Sequence, residues 1–111
     1  MSFARACGTA DVASGAALAV ELEAPSGNPV AVVRDGDDWY AVEDECSHAA
    51  IPLSEGDVEG CEIECWLHGS RFDLRSGKPT GPPASEPVAT YAVRVEGDDV
   101  LVDVDRPLND L

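Results

Sequence analysis

Apolar and polar residues alternate with a period of two in several short stretches of the chain. The pattern is clearest at residues 18–22, 91–95 and 100–104, and this period predicts strands with one buried face and one exposed face. Residues 97–99 are Gly-Asp-Asp, a turn composition that joins the last two strands in a hairpin. The C-terminal part of the chain therefore predicts antiparallel β-structure.

Less regular apolar stretches predict further short strands. These are expected at residues 3–7, 30–34, 39–42, 61–65 and 72–74. The strands at 30–34 and 39–42 form a hairpin across the turn at 35–38, whereas residues 49–60 contain too many turn residues for more than one helical turn. Short strands between Gly, Pro and Asp corners, without a helical period, predict an all-β fold, an antiparallel sandwich or barrel.

Length and charge narrow the possible functions. The chain has 111 residues, which fits a single domain, residues 1–111, with one site. Its 22 acidic and 7 basic side chains produce a net charge of −15, so neither nucleic acid nor an anionic membrane is an expected partner. Such a charge suits a basic docking patch on a protein partner, or serves solubility or a high-salt habitat. The first residues show no basic segment followed by a long apolar one, so the expected location is cytoplasmic.

Both histidines of the chain accompany a cysteine. Cys46 and His48 form C-x-H, and Cys65 and His68 form C-x-x-H, with sixteen residues between the two motifs. In an extended segment, side chains two residues apart point the same way, so Cys46 and His48 can face one metal centre. Zinc fingers typically space paired ligands by two or more residues, but the ligand types alone leave both zinc and iron open.

The motifs C-x-H and C-x-x-H-G-S at this separation resemble those of the Rieske 2Fe-2S family, and the resemblance covers nearly the whole chain. It implies one 2Fe-2S cluster, with Cys46 and Cys65 binding one iron and His48 and His68 the other. It also implies a small cluster-binding subdomain, about residues 45–84, inserted into a base subdomain made by the flanking strands. A zinc module and a disulfide scaffold are the remaining alternatives.

The resemblance also indicates which residues near the four ligands set the reduction potential of the cluster. Ile51 and Leu67 stand where high-potential respiratory members carry cysteines that form a disulfide, and Phe72 replaces a tyrosine whose hydroxyl bonds a ligand sulfur. Ser70 keeps a hydroxyl that family members aim at a bridging sulfur. Less hydrogen bonding to sulfur favours the oxidised state, so we expect a potential near the lower end of the roughly −150 to +300 mV Rieske range. The Pro82–Pro83 corner either shields the cluster or forms an ordinary loop.

Three further side chains have two interpretations each. Trp66 replaces the proline common at its position in the family; if exposed it is a docking anchor for a partner, and otherwise it packs over the cluster or the core. Cys7 and Cys61 could be redox thiols, but no histidine is left to activate them. They are expected to be small buried side chains.

The resemblance and the residue count together predict an electron carrier. An oxygenase needs a mononuclear iron held by two more histidines and a carboxylate, and the chain has only two histidines in all. A reductase needs a flavin or nicotinamide site, yet no G-x-G-x-x-G turn occurs. The expected function is a low-potential Rieske ferredoxin that shuttles single electrons from a flavin-dependent ferredoxin reductase to the terminal non-haem iron oxygenase of a bacterial ring-hydroxylating dioxygenase system. The alternative is a Rieske accessory or sensor protein of iron-sulfur cluster assembly.

Overall fold

Short antiparallel strands are the main regular element of the structure. The computed structural model describes residues 3–22, 29–46, 51–66, 69–80, 86–105 and 107–108. The strands in these ranges are β1 (Ala4–Gly8), β2 (Ala16–Val20), β3 (Val30–Asp35), β4 (Asp38–Glu43), β5 (Val58–Glu59), β6 (Glu62–Glu64), β7 (Arg71–Asp73), β8 (Thr90–Glu96) and β9 (Asp99–Asp103). Two single-turn 3-10 helices, Thr9–Asp11 and Leu53–Glu55, lie between strands. The all-β prediction is confirmed. Within the same ranges, no helix is long and apolar enough to cross a membrane.

Six strands form one sheet in the order β1-β9-β8-β4-β3-β2. Both predicted hairpins are present, β3 with β4 and β8 with β9, and both are antiparallel. The second strand begins earlier than the predicted 18–22, because its pairing with β3 runs from Ala16↔Arg34 to Val20↔Val30. Alanines at its start carry little hydrophobic signal, but their backbone groups pair like any others.

Strand β3, between β4 and the edge strand β2, is buried on both faces along residues 30–33. Val30 and Val32 pack in a base core with side chains from β1, β8 and β9, which the curled six-stranded sheet surrounds. Ala31 and Val33 point the other way, into an inter-sheet core that also holds Val42 of β4. Because successive side chains of a strand point to opposite faces, a strand between two cores needs a continuous apolar run.

A second, three-stranded sheet in the order β5-β6-β7 closes the inter-sheet core. Ile63 of β6 and Phe72 of β7 are directly paired and fully buried there. Strand β5 falls inside the stretch 49–60 that was predicted as loop, and that prediction is wrong for Val58 and Glu59. Two residues are too few to show a period, so only their pairing with β6 reveals the strand.

Candidate metal centre

The first candidate ligand, Cys46, lies just beyond the end of β4. Its residue is 2% exposed and its side chain belongs to the inter-sheet core. The Cys46 backbone N–H donates to the carbonyl oxygen of Ile51, five residues on, at 2.9 Å, and this bond closes a loop. His48 lies within this loop but outside the described residues.

The second candidate ligand, Cys65, follows β6 and begins a loop of similar construction. It is 0% exposed, and its N–H donates to the carbonyl oxygen of Ser70 at 2.7 Å, again five residues on. The Gly69 N–H donates back to the Cys65 carbonyl at 3.0 Å. His68 lies within this loop and likewise outside the described residues.

The two loops bring both thiols into one core. Cys46 and Cys65 share the inter-sheet core with Leu53, Ile63 and Phe72, and neither forms a disulfide. Two thiols in dry, apolar surroundings are suitable ligands for iron or zinc. Among the described residues, no three His, Cys, Asp or Glu side chains gather at one point, and both histidines lie outside that part. The described donor set is therefore the pair of thiols, which fits the cysteine half of a mixed cysteine and histidine site.

A buried carboxylate holds the first loop to the end of β4. Asp44 is 6% exposed, and its two oxygens accept hydrogen bonds from the Ser54 backbone N–H at 2.6 Å and the Ser54 hydroxyl at 2.8 Å. Ser54 lies in the 3-10 turn after Ile51, so this pair of bonds encloses the loop of Cys46. Asp44 was not among the predicted site residues, because nothing in the acidic run 43–45 distinguishes it from its neighbours.

A close backbone approach connects the end of that turn with the second loop. A Cβ atom at Gly56 would overlap the carbonyl oxygen of Glu64 and lie 2.8 Å from its carbonyl carbon. Glu64 directly precedes Cys65, and its N–H donates to the Asp57 carbonyl at 2.8 Å. Only glycine fits at position 56, and the signal for it is a glycine at the end of a helical turn.

The side chains predicted to surround the cluster are partly described. Phe72 and Ser70 are fully buried next to the second loop, and Ile51 is half-buried against the inter-sheet core. Leu67, Pro82 and Pro83 lie outside the described residues. These placements agree with Phe72 and Ser70 lying near a group held by Cys65, although the roles given to them remain predictions.

Trp66 is 52% exposed and belongs to neither core. It is therefore not buried in either core, while its packing over the cluster stays a prediction. An exposed indole directly after the buried candidate ligand Cys65 is suited to contact a partner protein.

The two other cysteines differ from each other. Cys7 is buried in the base core as expected, and burial raises the pKa of its thiol. Cys61 is only half-buried and has a backbone φ of 63° after Gly60 with φ of 59°. Two consecutive left-handed residues between paired strands form a type I′ turn, so Cys61 lies in the β5–β6 turn and not in the predicted strand 61–65.

Contacts of this turn connect the small sheet with the large one. The Cys61 N–H donates to Asp35 at 2.9 Å, and its thiol donates to the Tyr40 hydroxyl at 3.4 Å. This hydrogen bond raises the pKa of Tyr40. The thiol therefore has a structural contact in the β3–β4 hairpin.

Arg71 is paired across the small sheet. Its guanidinium lies 3.0 Å from Glu64 and 3.3 Å from Glu62, and the hydrogen bond to Glu64 raises the pKa of Arg71 above its usual range. Partly exposed pairs of this kind contribute little to stability, because water screens the two charges. The Arg71 guanidinium thus neutralises part of the negative charge of Glu62 and Glu64 on β6.

Comparison with known proteins agrees with this arrangement. A family model described as Rieske [2Fe-2S] domain matches residues 2–92. The chain is 42% identical over 105 residues to the ferredoxin component of biphenyl 2,3-dioxygenase from Rhodococcus jostii (strain RHA1), covering 95% of each chain.

Solved structures show the same fold. The ferredoxin of carbazole 1,9a-dioxygenase from Nocardioides aromaticivorans IC177 superposes with a TM-score of 0.83 at 39% identity, covering 92% of this chain and 97% of that one. A chain in the complex of reduced oxygenase and oxidised ferredoxin in carbazole 1,9a-dioxygenase has a TM-score of 0.86 at 34% identity, with 96% of both chains covered. With a matching family model and relatives of this similarity, the chain belongs to the Rieske [2Fe-2S] domain family.

Proposed function

We propose that Cys46 and Cys65 bind one iron of a 2Fe-2S cluster and that His48 and His68 bind the other. Because the chain belongs to the Rieske family, its cofactor is one Rieske-type 2Fe-2S cluster. This overturns the zinc and disulfide alternatives. The ligand assignment is supported by the two buried thiols, each at the start of a loop closed by its own N–H. We also propose that residues from about 45 to 84 act as one cluster-binding subdomain on the larger sheet.

Like its ferredoxin relatives, the protein is an electron-transfer component and not a catalytic subunit. When bound, a Rieske cluster accepts and releases one electron at a time. The protein residues bury the thiolate side in the inter-sheet core, so the electron enters and leaves on the other side. We propose that Trp66, which is exposed and directly follows Cys65, lies at that surface.

The partners follow from the relatives. We propose that the chain passes electrons to the terminal oxygenase of an aromatic-ring dioxygenase system, a role supported by the similarity to a chain in an oxygenase–ferredoxin complex. A flavin-dependent ferredoxin reductase is the proposed electron donor, and the cytoplasm is the proposed location. No described feature favours the alternative role in cluster assembly.

Trp66 is the proposed contact with the oxygenase. A half-exposed indole buries a large apolar area on docking, and tryptophan is frequent among residues that dominate binding energy. The net charge of −15 suits a basic surface around that contact, so transfer is expected to slow as salt rises.

The four cysteines supply a matched test of the ligand assignment. Cys65→Ala is expected to abolish bound iron, acid-labile sulfide and the visible absorption bands, whereas Cys7→Ala removes an equally buried thiol from the base core and keeps all three. A colourless wild-type protein with one zinc and no sulfide would refute the assignment. Loss of the cluster from both variants would also count against it.

Electron transfer is tested separately with the intact protein. Reduction by a flavoprotein reductase of a dioxygenase system is followed in a stopped-flow instrument, and an oxygenase is then added. We expect rapid reduction and then reoxidation that depends on the oxygenase. A reduced protein that passes no electrons to any oxygenase tried from aromatic-ring systems would contradict the carrier role.

A further inference from the structure

Three hydrogen bonds, to Pro29 and Ser54, hold Asp44 in place. Its backbone N–H donates to the Pro29 carbonyl at 2.9 Å, which holds it beside the start of β3. Both side-chain oxygens accept from Ser54, at 2.6 Å and 2.8 Å. The residues at both ends of the Cys46 loop are therefore attached, through Asp44, to the large sheet. A short, twofold hydrogen bond to a carboxylate is among the stronger contacts in a protein.

Among the residues that the structure describes, no cationic side chain forms an ion pair with Asp44. Both recorded donors belong to Ser54 and are neutral, and the ion pairs recorded between described residues lie elsewhere. Burying a carboxylate costs free energy unless hydrogen bonds or opposite charges compensate. An amide or hydroxyl side chain could brace the same turn at lower cost, so the negative charge itself is the feature that needs an explanation.

A fixed negative charge near a cluster opposes the addition of an electron, because the interaction of like charges is strong where water is excluded. Asp44 lies two residues before Cys46 in the chain. The chain runs from Asp44 through Glu45 directly into Cys46, which is the proposed thiolate side of the site. A carboxylate charge there would lower the reduction potential by repulsion, whereas Phe72 would lower it by the absence of a hydroxyl donor.

We propose that Asp44 and Ser54 are positioning residues that hold the first cluster loop on the large sheet, and that the Asp44 carboxylate lowers the reduction potential. This rests on the proposed function only in taking Cys46 as a cluster ligand. It goes further by assigning a role to two side chains that bind no iron.

Two substitutions separate position from charge. Ser54→Ala removes the hydroxyl and leaves every charge in place, so we expect cluster loss to become at least threefold faster in the presence of a chelator, with the midpoint potential little changed. Ser54→Thr keeps the hydroxyl and is expected to restore the wild-type lifetime. Asp44→Asn keeps the shape and removes the charge, so the equilibrium constant for one-electron reduction is expected to rise at least threefold.

Asp103→Asn is the matched control for charge. Asp103 is also a buried acid, but it lies on β9, two strands from β4 in the large sheet. Its substitution is expected to change the potential by less than half as much as Asp44→Asn. Equal shifts for both variants would overturn the assignment, because they would report net charge alone.

Cluster lifetime and midpoint potential are measured on the purified, cluster-loaded protein without any partner. These results therefore do not depend on whether the proposed carrier role is correct. A Ser54→Ala protein with a wild-type cluster lifetime would overturn the positioning role. An unchanged potential in Asp44→Asn would overturn the electrostatic role. If Asp44→Asn does not fold, the comparison of Ser54→Ala with Ser54→Thr decides the positioning role alone. The electrostatic role is then tested with Asp44→Glu, which keeps the charge and is expected to have the wild-type reduction potential. A higher potential in Asp44→Glu would overturn the electrostatic role.

Discussion

Gly56→Ala tests whether the close backbone contact between the 3-10 turn and the end of β6 is required. The added methyl group would overlap the Glu64 carbonyl oxygen, with the Glu64 carbonyl carbon at 2.8 Å and the Leu53 oxygen at 3.3 Å. All three are main-chain atoms, so no side-chain rotation relieves the overlap. Overpacking of this kind costs roughly 1–3 kcal/mol or more, and we expect the upper end. The gain from a stiffer unfolded chain, about 0.4–1 kcal/mol, offsets only part of it.

The resulting net loss of about 2 kcal/mol corresponds to a fall in Tm of about 8 °C or more in a domain of this size. Because Glu64 precedes Cys65, the displacement is also expected to alter the visible circular dichroism of the cluster and to speed its loss. Denaturant unfolding, thermal scans and the cluster spectrum measure these effects.

Gly36→Ala is the control for Gly56→Ala. Gly36 has a φ of 64° and no atom within 4 Å of an added Cβ, so alanine there costs about 1–2 kcal/mol from left-handed backbone alone and leaves the cluster spectrum unchanged. The reasoning is refuted if Gly56→Ala is no less stable than Gly36→Ala and its cluster spectrum is that of the wild type.

The remaining predictions concern single side chains. Phe72→Tyr is expected to raise the midpoint potential by about 40 mV, the equivalent of one hydrogen bond of about 1 kcal/mol to a ligand sulfur, while Phe3→Tyr leaves it unchanged; no rise would mean that Phe72 does not face a ligand sulfur. Trp66→Ala is expected to raise the KM of the oxygenase for the ferredoxin about tenfold without changing the potential, and an unchanged KM would exclude Trp66 from the docking surface. Cys61→Gly is expected to be more stable than Cys61→Ala by about 1 kcal/mol, since only glycine adopts the left-handed turn freely; equal unfolding free energies would contradict that turn.

Local patterns in the chain were sufficient for most of the strands. Period-two alternation depends only on which side chains face a core, so residues 91–95 and 100–104 identified β8 and β9 correctly. The same reasoning failed for β5, which has two residues, and for Cys61, whose left-handed backbone follows from the turn it completes. In both cases the decisive information is the pairing with another segment, which no local period records.

The candidate site divides in the same way. The spacing of cysteine and histidine predicted the family, and the comparisons confirm it, since ligand types and short-range spacing are properties of the chain itself. The hydrogen bonds that hold the site in place were not predictable from that spacing. Asp44 meets Ser54 ten residues on, and Asp35 meets Cys61 twenty-six residues on.

The sequence by itself determined most of the strands, because side-chain periodicity is local. Its ligand spacing, through the resemblance to the Rieske family, also indicated the single cluster and the role of electron carrier. Only the tertiary structure decided that both thiols share one dry core, that Trp66 is exposed and that Gly56 must have no side chain. Burial and close approach depend on residues that meet only after the two sheets have packed, and these contacts give the carboxylate of Asp44 its place beside the first loop.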